Sequence, residues 1–204
     1  MENIEDRARA IRALKSGEVV LHPTGSLYGL AADAYNAEAI QKVKSLKRLE
    51  EGARPFVVLI SKEWVENLVA LERMNPETRK KARTLVREYW PGGLTLIVPA
   101  SEAAPRYACA QSEHGPTIAI RADDHPAAIE LCNGFGGPLV STSANLHGTP
   151  SPLKLSDVPE AIKEGTTLFH IEPVPEGSAS TVLDLTSLPP RVLREGRIPQ
   201  RELL

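Results

Sequence analysis

The feature that most constrains the fold is an alternation of short apolar runs with segments of helical periodicity. The runs EVVLHPT at 18–24, PFVVLI at 55–60 and GLTLIVPA at 93–100 have the length and the β-branched content of buried strands. Between them, apolar residues recur at helical spacing over about 36–48 and 76–90. Because a sheet and amphipathic helices bury their apolar faces against each other, this order predicts an α/β fold with a mixed sheet.

The rest of the chain continues the pattern. Gly17 ends a helical segment that starts near Ile4, and Ser61 is expected to cap a helix that carries Trp64, Leu68 and Leu71. Pro126 begins a further helix, and the remaining apolar segments predict strands: the helix spans 125–132 and the strands lie at 117–122, 138–145, 168–172, 180–185 and 191–195. At 204 residues, the chain fits a single domain over residues 1–204.

Composition narrows the function only by exclusion. A net charge of −2 gives no overall attraction to nucleic acid, membranes or acidic substrates. Cys109 and Cys132 belong to no CxxC pair and no His-rich spacing, so we expect neither a metal site nor a disulfide framework. Residues 1–18 are charged and helix-patterned, without an apolar run long enough for a signal peptide or a membrane span. We therefore expect a cytoplasmic protein with no membrane partner.

Polar segments stand at the ends of the apolar strands. The GxxxxGK[ST], GxGxxG and GxSxG signatures are absent, so an ATP site in this chain would need another design. The segments are PTGSLYGL at 23–30, KRLEEGARP at 47–55, TIAIRADDHP at 117–126, STSAN at 141–145 and STVLD at 180–184. In α/β sheets, ligands bind where strand ends meet loops and helix starts, so we expect these segments to converge on one ligand groove.

In this order the segments resemble those of the YrdC-like family of L-threonylcarbamoyl-adenylate synthases. Members of that family show PTDTVYGL, KGRP before an apolar strand, R-x-x-x-HP, PSAN or STSAN, STV-x-D and LRxG. The resemblance covers about residues 8–198, and PLVSTSAN at 138–145 is its most specific part. It implies a single α/β domain of the YrdC-like fold, with a curved mixed β-sheet, flanking helices and a central ligand groove.

The resemblance also implies a reaction. Such a nucleotidyltransferase forms threonylcarbamoyl-AMP and pyrophosphate from L-threonine, bicarbonate and ATP, with Mg²⁺ on the phosphates. A threonylcarbamoyl-transferase partner protein then uses the product to modify adenosine in tRNA. Cationic side chains suit the charge that builds on phosphate oxygens, and short hydroxyl and amide groups suit an amino acid and a nucleotide.

Specific residues match the family's motif positions, and their roles are implied by that match. The implied catalytic residues are Lys47, Arg48, Ser143 and Asn145. The implied ATP-binding residues are Lys47, Arg48, Arg54, Thr117, Ser143, Ser151 and Arg194. The implied threonine-binding residues are Ser26, Arg121, Ser141 and Ser180. Because a carbamate is short-lived in water, we expect the groove to close, with Tyr28 and the loop at 48–54 as candidates for its lid.

Three positions depart from the family pattern. Gly25 stands where the family has Asp or Glu, Leu49 stands where the arginine of KGR would fall, and Leu59 occupies a position often held by histidine. The loop KRLEEGARP is also one residue longer than the usual spacing, so either Arg48 or Arg54 replaces the missing arginine or nucleotide binding is weaker. These departures leave open one alternative from another class, an RNA- or ribosome-binding paralogue with weak or no synthase activity. A domain that handles some other carbamoyl or nucleotide substrate is a third alternative.

Two of the cationic motifs also have a structural interpretation. Lys47 and Arg48 at the end of a helix would complement the helix dipole. Arg121 would form a surface ion pair with Asp123 or Asp124.

Histidine and arginine residues elsewhere have structural interpretations too. His125 before a proline is expected to start a helix rather than to act as a base. Arg79, Arg83 and Arg87 form a stripe that is expected to be a solvated helix face, with tRNA contact as the sharper alternative.

Overall fold

One mixed sheet organises the chain. The computed structural model describes residues 2–50, 52 and 55–204. Within these residues the strands are β1 (Val20–Pro23), β2 (Tyr28–Asp33), β3 (Val57–Leu59), β4 (Leu94–Pro99), β5 (Cys109–Ala110), β6 (Thr117–Arg121), β7 (Leu139–Ser143), β8 (Thr167–Leu168), β9 (Thr181–Asp184) and β10 (Arg191–Arg194). Their order across the sheet is β10-β9-β4-β6-β3-β7-β2-β1-β8, with β5 paired to β6. The sheet is open, because β10 and β8 form its two ends.

Helices cover both faces of this sheet. They are α1 (Glu2–Lys15), α2 (Ala37–Lys47), α3 (Val65–Leu68), α4 (Pro76–Tyr89), α5 (Pro126–Phe135) and α6 (Glu160–Glu164). Successive side chains of a strand point to opposite faces, so Leu30 packs in the core with α2 and α4 while its neighbour Ala31 packs with α1 and α5. The predicted mixed α/β fold with flanking helices is therefore confirmed.

Local capping sets the helix boundaries that the sequence predicts. Asn36 accepts hydrogen bonds from the amides of Glu38 and Ala39, and Asn75 accepts one from Thr78. His125 is the N-cap of α5, as expected, because its Nδ1 accepts a hydrogen bond from the amide of Ala127 at 3.1 Å.

The helix predicted from Ser61 through Leu71 is wrong in form. Ser61 directs its Oγ to the carboxylate of Glu63, at 2.5 Å, and makes no capping bond to a backbone amide. The segment divides into a 3₁₀ turn over Lys62–Trp64, the single turn of α3 and another 3₁₀ turn over Leu71–Arg73. The break lies at Val69, which is extended and forms a bridge with Ala100. Pairing with the strand that follows α4 therefore prevails over local helix propensity.

The sequence reasoning did not predict β2. Its residues YGLAAD contain no β-branched side chain. The strand forms because β1 pairs with it on one side and β7 on the other, both antiparallel. Among the described helices, none has both the length and the apolarity to cross a bilayer.

Candidate active site

One cavity has as its floor the sheet face on which α1 and α5 also pack. Ala31, Leu59 and Leu139 lie under these two helices. Val57 and Ser141, two positions along β3 and β7, are only partly buried and line the cavity, whose volume is about 700 Å³. The cavity is therefore a direct consequence of strand alternation and of helices that cover only part of one face.

Strand register brings distant motifs to this floor. Gly29 of β2 lies opposite Ser143 of β7, and Ser141 lies opposite Val57 of β3. Arg121 at the end of β6 lies beside Leu59 of β3. From these pairings, the Cα atoms of Ser143 and Arg121 lie two inter-strand spacings apart across the sheet and four residues apart along the strands. The distance between them is therefore roughly 16 Å.

Lys47 lies at one end of the cavity. Its Nζ donates to the carbonyl oxygens of Ser143 at 2.5 Å and Asn145 at 2.8 Å, and to Asn145 Oδ1 at 3.1 Å. Ser143 Oγ also donates to Asn145 Oδ1 at 2.5 Å, and Asn145 Nδ2 donates to the carbonyl of Thr149. Burial lowers the pKa of Lys47 to about 8. The ammonium therefore sits where its charge is poorly solvated, and its three hydrogen bonds fix its position at the cavity wall.

Arg121 lies at the other end of the cavity. Its Nε donates to the carbonyl of Gly92 at 2.9 Å and its Nη1 to Ser26 Oγ at 3.1 Å. Its Nη2 lies 2.8 Å from Asp123 Oδ2, in an ion pair whose side chains are 6% and 2% exposed. Neither of these two atoms makes an aligned hydrogen bond with another described residue. Both atoms are buried, so the pair gives the cavity wall a guanidinium and a carboxylate fixed side by side, which suits an amino acid that carries both charges.

Arg194 and Ser180 form a third part of the wall. Arg194 donates from Nε to the carbonyl of Ser180 and from Nη2 to Ser180 Oγ, both at 3.1 Å. Ser180 Oγ also lies 2.9 Å from Thr95 Oγ1. Burial lowers the pKa of Arg194, and the nearby charge of Arg121 lowers it further. The wall therefore presents a second guanidinium held by a fixed hydroxyl.

The structure brings together most of the residues singled out in the sequence. They line the same cavity and are Ser26, Lys47, Arg121, Ser141, Ser143, Asn145, Ser151, Ser180 and Arg194. Tyr28 also lines it, with its hydroxyl 2.9 Å from His170 Nδ1. From the segment proposed as a lid, Leu49, Glu50 and Gly52 line the cavity.

Two of the singled-out residues lie elsewhere. Arg48 ends α2 in the left-handed conformation, with φ of 53°, and lines a separate groove with Leu46 and Leu146. Thr117 stands at the start of β6, roughly 13 Å along the strand from Arg121, and lines another cavity. Arg54 lies outside the described residues. The expected replacement of the KGR arginine by Arg48 therefore has no geometric support.

The positions that depart from the family pattern all lie at the cavity or next to it. Leu49 and Leu59 line it, so both place an apolar side chain where the pattern has a polar one. The amide of Gly25 donates to Asp123 Oδ1 at 2.9 Å, beside Arg121.

Sequence reasoning missed some polar groups of this site. Thr24 and His147 line the cavity, and Arg197 binds Asp124 next to it. The predicted ion pair of Arg121 with Asp123 forms, but it is buried at the cavity and does not lie on the surface. Among the described residues, no group of three or more His, Cys, Asp or Glu side chains could hold a metal ion.

Comparison with known proteins shows the family of the chain. The Sua5/YciO/YrdC family model, described as telomere recombination, matches residues 12–196. A threonylcarbamoyl-AMP synthase of Bacillus subtilis (strain 168) is 35% identical over 200 residues, which cover 96% of this chain and 55% of that protein. One of Vibrio campbellii is 35% identical over 164 residues, covering 79% of this chain and 82% of that protein.

Solved structures show the same fold. The crystal structure of P. abyssi Sua5 complexed with L-threonine superposes with a TM-score of 0.85 at 32% identity, covering 100% of this chain and 57% of that one. E. coli YciO superposes with a TM-score of 0.80 at 22% identity, which bears on the fold alone. The chain thus spans little more than half the length of the Bacillus and P. abyssi proteins.

Proposed function

The chain belongs to the Sua5/YciO/YrdC family, and from this premise we propose that it is a threonylcarbamoyl-AMP synthase. Its substrates would be L-threonine, bicarbonate and ATP. The observation that carries the proposal is that Lys47, Arg121 and Ser143, which are far apart in sequence, meet in one cavity. The chain is 35% identical to two proteins that bear this name, and its cavity carries the cationic and hydroxyl groups that the reaction needs.

The reaction has two steps that this cavity would serve. The amine of threonine attacks the carbon of bicarbonate, and water leaves to give a carbamate. A carbamate oxygen then attacks the α-phosphorus of ATP, and the bond to the β-phosphate oxygen breaks to release pyrophosphate. Negative charge increases on phosphate oxygens during the second step, so fixed cations near the α-phosphate lower its barrier.

Arg121 and Ser26 would bind threonine. A guanidinium presents its donors in a planar fork that matches a carboxylate, and the Arg121 guanidinium is held at the cavity wall by Ser26 and Asp123. The negative charge of Asp123 beside it would favour the positively charged amine of the substrate. Ser141 and Ser180 would contribute hydroxyl contacts around the amino acid.

Lys47, Ser143 and Asn145 would serve the nucleotide and the reacting carbamate. Lys47 is already held by Ser143 and Asn145, so its charge is positioned before ATP arrives. Arg194 and Ser151, which line the same cavity, would complete the ATP site. Because Leu49 occupies the position of the motif arginine, Lys47 and Arg194 would be the cations that neutralise the phosphate charge.

Mg²⁺ would enter as part of the ATP substrate. No acidic cluster of the described residues could hold the ion independently, and Asp123 is already bound by Arg121 and by two backbone amides. Phosphate oxygens and water would therefore supply its ligands, as is usual for this ion. Its part in the reaction would be to neutralise phosphate charge.

The product would leave for a second protein. A threonylcarbamoyl-transferase would move the group to adenosine in tRNA, in the cytoplasm, where ATP and tRNA occur. The alternative of an RNA- or ribosome-binding paralogue has no specific observation in its favour among the described residues or the relatives named above. The ATP-binding roles of Arg48, Arg54 and Thr117 remain predictions that rest on motif position only.

Pyrophosphate release by the purified chain tests the proposal. We expect release with ATP and Mg²⁺ only when both threonine and bicarbonate are present. Omission of either should reduce the rate to background, and mass spectrometry should detect threonylcarbamoyl-AMP. No release under these conditions, together with salt-sensitive RNA binding, would favour the paralogue instead.

A further inference from the structure

His147 is a cavity residue to which the proposed reaction assigns no part. It lies in the turn after β7 and shares the cavity wall with Lys47 and Ser151. The residue is exposed, so its imidazole can reach a ligand that occupies the cavity. Histidine is positively charged when it is protonated, which makes His147 a candidate contact for an anionic part of a substrate.

The backbone fixes His147 beside Lys47. The amide of His147 donates to the carbonyl oxygen of Lys47 at 3.0 Å. The turn is closed on itself, because Thr149 donates to the carbonyl of Leu146 from its amide at 3.1 Å and from its Oγ1 at 2.9 Å. The side chain of Asn145, which contacts Lys47 Nζ, also donates to the carbonyl of Thr149. A closed turn that is tied to Lys47 therefore carries the imidazole.

Lys47 and His147 lie at different depths in the wall. Only 5% of Lys47 is exposed, whereas His147 is an exposed residue. Gly148 follows with φ of 79°, and a Cβ placed on it would meet no described atom within 4 Å apart from its chain neighbours. The space beside the turn is therefore open. An elongated polyanion whose inner end lies at Lys47 would place its outer charges beside His147.

Other charged side chains share this cavity. Among the described residues, those that line it besides Lys47 and His147 are Glu50, Arg121, Asp123 and Arg194. Arg121 and Asp123 form an ion pair with each other. Glu50 lies on the segment after α2, where its charge would attract a histidinium before a ligand binds. A phosphate has to compete with this carboxylate, which limits the affinity that His147 can add.

We propose that His147, in its protonated form, binds the β- and γ-phosphates of ATP and the pyrophosphate that leaves. The assignment follows from depth, because the α-phosphate would react next to the buried Lys47 and the outer phosphates would then reach the exposed turn. This inference rests on the proposed function, which assigns ATP to this cavity. Histidine changes its charge between about pH 5 and pH 8, and a charged donor binds phosphate oxygens more strongly than a neutral one. The contribution of His147 should therefore be largest in mild acid.

Three variants test the proposal. His147→Gln removes the charge but keeps a polar side chain, and His147→Lys keeps a cation. The bond from the turn to Lys47 comes from a backbone amide, so both variants retain it. His114→Gln is the matched control, because His114 is also exposed and lines a different cavity. Calorimetry with Mg²⁺ present measures Kd for pyrophosphate, ATP and AMP at about pH 6 and about pH 8, and urea unfolding checks the fold.

At the lower pH we expect His147→Gln to weaken the binding of pyrophosphate and ATP by about tenfold and that of AMP by less than about twofold, because AMP lacks the outer phosphates. At the higher pH the loss for pyrophosphate should shrink to less than about threefold, because a histidine side chain is largely neutral there. Comparison of the two proteins at the same pH cancels the titration of pyrophosphate itself. His147→Lys should bind pyrophosphate more tightly than His147→Gln at both pH values, since lysine stays charged. The control should match the wild-type protein throughout.

Three outcomes would contradict the proposal. Equal losses for pyrophosphate and AMP would show that His147 shapes the cavity wall and does not bind the outer phosphates. Unchanged affinity of His147→Gln for pyrophosphate, or the same loss at both pH values, would remove the histidinium from the site.

Failure of the proposed function gives a different result. If the wild-type protein binds pyrophosphate and ATP but shows no pyrophosphate release that depends on threonine, the proposed function is wrong, and the ratios of the Kd values still decide the role of His147. If the wild-type protein binds neither compound, both proposals are wrong.

Discussion

The Nζ of Lys47 lies 2.8 Å from the carbonyl oxygen of Asn145, which is 98 residues later in the chain. This contact joins the end of α2 to the loop after β7. A further contact supports it in the other direction, because the amide of His147 donates to the carbonyl of Lys47 at 3.0 Å. The cation and the hydroxyl segment of the candidate site are therefore one connected unit.

Replacement of Lys47 should reduce synthesis strongly. We expect Lys47→Ala to lower the rate of pyrophosphate release by about 100-fold or more, because a fixed cation near the phosphates is lost. Lys42→Ala is a matched control, since Lys42 lies on the same helix and 44% of its side chain is exposed. Circular dichroism should show both variants folded. A wild-type rate in Lys47→Ala would remove Lys47 from the catalytic set.

The side chain of Asn145 is expected to support activity through its contacts with Lys47 and Ser143. Its Oδ1 accepts from both Lys47 Nζ and Ser143 Oγ, so Asn145→Ala frees both groups at once. We expect pyrophosphate release to fall at least about tenfold with the fold retained. In a double variant with Lys47→Ala, the two effects should be far from additive, because both residues belong to one hydrogen-bonded network. Additive losses would show that Asn145 acts independently of Lys47.

Activity should depend on the protonation of Lys47. Burial lowers its pKa to about 8, so the ammonium form dominates below that pH and the neutral amine above it. We expect kcat/KM for ATP to fall as the pH rises through about 8. Lys47→Arg, whose guanidinium stays charged, should lose this alkaline limb at whatever rate it retains. An unchanged limb in that variant would assign the titration to another group.

Arg121 should determine the affinity for threonine. Arg121→Lys keeps a positive charge but loses the fork that contacts Ser26, Gly92 and the cavity. We expect the KM for threonine to rise by more than about tenfold and the KM for ATP to change by less than about threefold. Arg83→Lys on the exposed surface of α4 is the control. Equal changes in both KM values would place Arg121 outside a dedicated threonine site.

Stability should fall in mild acid because of His22. Burial lowers the pKa of this fully buried histidine from 6.5 to about 4, although Asp123 acts in the opposite direction. The unfolded chain therefore binds more protons between these two pH values, so the contribution is complete above pH 6.5 and is lost as the pH falls toward 4. That loss is on the order of 3 kcal/mol.

Urea unfolding at several pH values measures this effect. His22→Gln should show a flatter dependence between pH 6.5 and 4 than the wild-type protein, because its side chain does not titrate. The same slope in both proteins would show that other groups govern acid unfolding.

The features that the sequence predicted correctly are those set by interactions between neighbouring residues. The caps at Asn36, Asn75 and His125 act within three residues, so their positions could be predicted from neighbouring residues alone. By contrast, the Ser61 prediction failed because the extended residue Val69 pairs with Ala100, a contact that no local pattern contains. For the same reason β2 escaped prediction, since it depends on partners on both sides.

The sequence by itself determined most of the helices and strands and the set of polar segments at strand ends, because hydrophobic periodicity and caps are local properties. Only the tertiary structure decided which cations face the cavity. Lys47 and Arg48 are adjacent in sequence, yet Lys47 is buried against β7 and Arg48 turns to another groove. The direction of each side chain follows from how α2 packs on the sheet and where it ends. That packing depends on contacts with residues about a hundred positions away, which the local sequence does not specify.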